Sequence, residues 1–179
     1  MSRPGEEEVD GPGPYTIATG RAIADHLGIP ADINLSARLA QDPEGFKGRF
    51  LAGRPQVILH RQTSTYGHFF LVHRRPTGAG SALEVYDSQA TGGDTLGELL
   101  HGEKDNGLNG PPGWLGEAIA DAVRANKLCV SYNQRLSQGD SETCLLHTLA
   151  RAAAPHVPAS VFATKTGRYF VHHATQRRS

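Results

Sequence analysis

The segment from Ser137 to Ala150, Ser-Gln-Gly-Asp-Ser-Glu-Thr-Cys-Leu-Leu-His-Thr-Leu-Ala, sets a thiol, Cys144, at the mouth of an expected helix, with Gln138 six residues before it. Upstream, His68 stands at the start of one strand-like run and Asp87 closes the next. A thiol, an imidazole, a carboxylate and an amide donor are the parts of a cysteine-based acyl-transfer site. A thiol attacks as thiolate, and the partial positive charge of a helix N-terminus favours that form. His68 would act as base and then acid, Asp87 would hold its tautomer, and Gln138 would face a developing oxyanion, with Gln134 as the other candidate. Taken singly, each residue has a plainer account. Free cysteines often only fill space, Asp87-Ser88 can end a strand as an Asx turn, and glutamines usually sit in exposed loops. The order and spacing of the four together carry the catalytic reading.

The elements that must position them follow from patterning. Residues Thr16 to His26 show a helical period of Ile17, Ala18, Ile23 and Ala24, continued by Leu27 and stopped by Gly28 and Pro30. A short helix is expected over Leu35 to Leu39. Gln56–His60, His68–Val72 and Leu83–Tyr86 are compact strand-like runs, and the turn-rich Pro76–Gly80 makes an antiparallel hairpin of the last two. Such a hairpin brings the start of one strand beside the end of the other, and so His68 beside Asp87. The glycine-rich stretch from Ala90 to Gly113 reads as a loop with one helical turn at Leu96–Leu100, and as the best lid or insertion in the chain. Trp114–Ala125 is expected as a helix stopped by Asn126. Lys127–Gln134 is expected as a strand with Cys129 in the core. The last helix starts near Cys144, buries Leu145, Leu146, Leu149 and Ala153, and ends at Pro155. A short strand or turn around Val161 to Val171 closes the chain. The expected class is α+β, a mostly antiparallel sheet flanked by helices.

Composition bounds the function. The 179 residues fit a single domain, 15–179, behind a Gly/Pro/Glu-rich leader, 1–14, expected to be disordered. Lys+Arg and Asp+Glu both number 18, so no global field argues for nucleic acid. Two cysteines build neither a disulfide framework nor a zinc site of Cys ligands alone, and no metal is expected. No membrane span or ordinary secretory signal is readable.

With these residues assembled, the chain resembles the adenain-like and Ulp-like cysteine proteases. There a His starts a strand, an Asp ends the next in a Tyr-Asp-Ser-like sequence, here Tyr86-Asp87-Ser88, and a Gln precedes the Cys by about six positions. Within that superfamily it is most similar to the YopJ-type bacterial effectors, which are Ser/Thr acetyltransferases. His68-Phe69 before an apolar strand, Ser141-Glu142-Thr143-Cys144 running into Leu149-Ala150, and Val157-Pro158 through Phe162 to Lys165-Thr166-Gly167-Arg168 carry that likeness, and Ile33-Asn34-Leu35 is a fainter echo. The resemblance implies a papain-like, adenain-like core and acetyl-CoA as co-substrate. It also implies a host protein, a kinase or immune regulator, as acceptor, and a secreted effector acting in the host cytoplasm. Two departures stand out. Leu145 replaces the Gly that commonly follows the nucleophile. The short stretch between Cys144 and Val157, with Ala163-Thr164 in place of a Lys-His pair, argues against activation by inositol hexakisphosphate, although Lys165, Arg168, His172 and His173 could attract phosphate. The resemblance leaves two rivals to acetyl transfer open: a thiol isopeptidase of ubiquitin-like tails and a catalytically dead binding module.

Overall fold

The computed structural model describes residues 16–61, 67–78, 80–88, 107–132, 144–158 and 162. Helix α1, Ile17–Leu27, begins where Thr16 Oγ1 accepts from the Thr19 N–H at 3.1 Å and ends at Gly28, whose φ of 67° only glycine adopts without strain. Strand β1, Asp32–Leu35, leads into the single turn α2, Ser36–Leu39. Helix α3, Pro43–Leu51, was not expected, yet its signals are local: Asp42 Oδ1 accepts from Gly45 N at 3.0 Å, and Pro43 occupies the first turn. Strands β2, Gln56–Arg61, β3, Gly67–Thr77, and β4, Gly80–Tyr86, follow. Helix α4, Trp114–Asn126, strand β5, Cys129–Tyr132, and helix α5, Cys144–Ala153, complete the elements among the described residues.

The architecture is α+β, with a five-stranded sheet in the order β1-β2-β3-β4-β5. The sheet is mixed, where a mostly antiparallel one was expected. Pairings β2–β3 and β3–β4 are antiparallel, whereas the outer pairings β1–β2 and β4–β5 are parallel. A parallel neighbour requires a crossover, and α2–α3 occupies one connection while α4 occupies the other. The hairpin is longer than patterning suggested, because pairing continues through Pro76 and Thr77 to set Thr77 opposite Gly80.

Strand alternation sorts side chains onto two apolar layers. Val57, Leu59, Phe69, Leu71 and Tyr86 pack with Ile17, Ile23 and Ala24 of α1 and Leu145, Leu146 and Leu149 of α5. Ile58, Phe70, Val72, Leu83 and Val85 pack with Leu39, with Phe46 and Phe50 of α3, and with Trp114, Leu115 and Ile119 of α4. Phe46 is the hinge of the second layer, edge-on to Phe50 at 5.0 Å and to Trp114 at 5.7 Å between ring centroids. Burying side chains of this size is worth about 1.5–3 kcal/mol each.

Two burial expectations are corrected. Cys129 is exposed, because β5 is an edge strand of four residues. Ala153 is exposed as well, and the sheet-facing position in the last turn of α5 belongs to Arg151. No helix among the described residues is long and apolar enough to cross a membrane. The leader 1–14 and the Val161–Val171 closing element, Phe162 excepted, lie outside the described residues, as does the lid stretch over 90–106. Its remainder, 107–113, is a series of bends and turns. Asn109 pins that remainder: its side-chain amide exchanges two 2.7 Å hydrogen bonds with the Arg61 backbone, and its carbonyl accepts from Ser36 Oγ and Trp114 Nε1.

Candidate active site

The hairpin pairing ends with Leu71 opposite Tyr86, which puts Asp87 just past the end of β4 beside the first residues of β3, His68 among them. The two side chains meet there, His68 Nε2 to Asp87 Oδ1 at 2.6 Å, with both residues 3% exposed. Cys144 is the first residue of α5, partly buried against the α1–α5 layer. Its thiol is near enough to His68 to act, together with Asp87, among the groups that raise the pKa of that ring. The three residues nominated as nucleophile, base and orienting carboxylate therefore come together from β3, the end of β4 and the start of α5.

The electrostatics of His68 follow from that company. Burial favours the neutral ring, but the bond to Asp87, with a further pull from Cys144, outweighs it, and the pKa is raised from 6.5 to about 9. A ring so raised is mostly imidazolium near neutral pH, the form that can give up a proton.

Helix α5 is set on the sheet by three polar contacts along one stripe, Cys144, Thr148 and Arg151, the i, i+4, i+7 positions that share a helical face. Thr148 Oγ1 donates to the Cys144 carbonyl at 2.6 Å and lies 3.5 Å from the Phe69 carbonyl, beside His68. Arg151, fully buried, forks onto Glu84 of β4, with Nε to Oε1 at 2.7 Å and Nη2 to Oε2 at 3.0 Å. Its remaining donor, Nη1, reaches the carbonyls of Ala154 at 3.1 Å and Val157 at 2.6 Å. Glu84 also accepts from His73 Nε2 at 2.8 Å. Burial pushes the Glu84 carboxyl up, but its bonds to His73 and Arg151 hold it down at about 2. Burial lowers the His73 pKa against the opposing pull of Glu84, so a neutral ring donates to an ionised carboxylate. This cluster carries no local sequence signal.

The other nominated residues, Gln138 and Gln134 for the oxyanion and Lys165 and Arg168, with His172 and His173, for phosphate, lie outside the described residues. Leu145, which stands where the resemblance expects Gly, is fully buried, and a Cβ on Gly20 of α1 would come within 3.3 Å of both its methyl carbons. The bulk after the nucleophile is thus accommodated by a missing side chain on the facing helix. Among the described residues no group of three or more His, Cys, Asp or Glu side chains could hold a metal ion. No protein-family model matches this chain, and neither the curated proteins nor the solved structures contain a match to it.

Proposed function

We propose that this chain is a cysteine-dependent acyltransferase built on an adenain-like core. The observation that carries the reading is the buried 2.6 Å His68–Asp87 hydrogen bond, with Cys144 at the head of α5 near enough to raise the pKa of the same imidazole. A buried carboxylate bonded to one ring nitrogen fixes the ring, and a thiol near it gives the proton a path.

The chemistry then balances as follows. The Cys144 thiolate attacks the carbonyl carbon of a thioester donor, proposed as acetyl-CoA, and a C–S bond forms as the carbonyl pair moves onto oxygen. Backbone N–H groups of the first turn of α5 have no intrahelical partner and suit that oxyanion. Collapse expels the CoA thiolate, which takes the His68 proton, leaving an acetyl-thioester on Cys144. Neutral His68 then removes the proton from a Ser or Thr hydroxyl, or a Lys amine, of a host protein as that group attacks. Cys144 leaves as thiolate, and His68 is again an imidazolium. The acetyl donor and the protein acceptor rest on the resemblance of the Cys144 and Val157–Arg168 segments, while the triad geometry supports the thiol chemistry common to both half-reactions.

Exposing the protein to labelled acetyl-CoA, with Cys144→Ala as control and a ubiquitin-like fluorogenic tail in a parallel arm, tests it. Label retained on Cys144 without tail cleavage is the expected result. Tail cleavage without label would replace transfer by isopeptide hydrolysis, and a Cys144 that neither labels nor cleaves would mark a binding module.

A further inference from the structure

We infer that the Arg151–Glu84 pair is a positioning device for the nucleophile: it fixes the rotation and axial register of α5 on the sheet, and thereby the place of Cys144 against His68. The inference rests on the acyl-transfer reading of the triad. Arg151 lies two turns from Cys144 on the same stripe of α5, with Thr148 between them. One residue of rotation in an α-helix is 100°, so a helix held only by Leu145, Leu146 and Leu149 in an apolar layer could repack with little loss while carrying the sulfur off its line. A two-pronged guanidinium–carboxylate contact has one geometry, and a half-engaged one leaves a buried charge bare.

The pair is anchored on all sides. Glu84 is held in β4 by its ladder to His73 and by the His73 ring itself. Arg75 stands 3.9 Å from its second oxygen and donates to the carbonyls of Pro155 and Val157 beyond α5. The Arg151 guanidinium lies 5.2 Å over the Phe162 ring. The fork therefore gathers the β3–β4 hairpin that carries His68 and Asp87, the helix that carries Cys144, and the chain that follows it. A replaceable apolar core position would need none of these contacts.

The test compares Arg151→Met/Glu84→Leu, which removes both charges and keeps the volume, with Arg151→Lys, which keeps the charge and loses the fork. His68 is followed by NMR titration, and Cys144→Ala defines how much of its raised pKa comes from sulfur. The expected result is a folded double variant whose His68 titrates below about 9, as it should in Cys144→Ala. Its Cys144 should alkylate about a hundredfold more slowly, the loss a misplacement of roughly 1 Å brings, with Arg151→Lys intermediate. A folded double variant with the wild-type His68 titration and thiol reactivity would overturn the inference and leave the triad standing. So would failure of both variants to fold, which would make the pair a folding element. If Cys144→Ala does not move His68 at all, the triad reading falls first and the inference with it.

Discussion

Asp87 Oδ1 holds His68 Nε2 at 2.6 Å across the open end of the β3–β4 hairpin. Asp87→Asn keeps the shape but offers the wrong partner to Nε2–H. Acyl transfer measured with labelled donor should fall by about 10³–10⁴-fold, and the thermal midpoint should drop too, because the pull of Asp87 on His68 is part of that ring's contribution to stability.

On the proposed function, the raised pKa of His68 should set the alkaline limit of activity. Transfer that needs the imidazolium should decline as pH rises through about 9. In a residual-activity profile of Asp87→Asn, the same limb should move to lower pH, because the first of the upward pulls on the ring is gone. An alkaline limb that stays put in that variant would assign it to another group.

Stability should fall off on both sides of neutrality, for opposite reasons. His68 is raised from 6.5 to about 9, so its contribution is complete below pH 6.5 and is lost as pH climbs through 9. Glu84 is lowered from 4.5 to about 2, so its contribution is complete above pH 4.5 and is lost as pH drops through 2. His73, kept neutral by burial, adds to the acid loss from pH 6.5 downward. Urea midpoints measured from pH 2 to 10 should show each arm, of the order of a few kcal/mol. Glu84→Gln should flatten the acid arm and His68→Gln the alkaline one.

The packing of Leu145 against Gly20 makes a further, independent check. Leu145→Ala should cost about 2–5 kcal/mol as a core truncation. Gly20→Val should overpack the same contact by about 1–3 kcal/mol, and because Leu145 is joined to Cys144 it should also slow thiol alkylation. Denaturant unfolding and a single alkylation time course on each variant suffice.

Local signals explain what sequence reading reached. Thr16 and Gly28 bracket α1, and compact apolar runs bounded by turn-rich stretches announce β2, β3 and β4. A hairpin makes the His68–Asp87 encounter a matter of short-range geometry, 19 residues apart. Asp42-Pro43 is an equally local start signal for α3. The rest is tertiary. Strand β1 has four residues and exists through parallel pairing with β2, which periodicity does not encode. Glu84 sits between Leu83 and Val85 in a fully buried run, and Arg151 follows Ala150. Nothing near either one names the other, 67 residues away. Cys129 looked like core because Leu128 and Val130 flank it, but the sheet ends at its strand.

The long hairpin carries both the proton carrier and its carboxylate, whereas the sulfur comes on a helix much later in the chain. During synthesis the acid–base half can therefore assemble by itself, and the thiol meets its activator only when α5 docks on the finished sheet. Half-made molecules on the ribosome carry the imidazole and its carboxylate without Cys144, so on the proposed reading they have no means of seizing thioesters from their surroundings before the fold is complete.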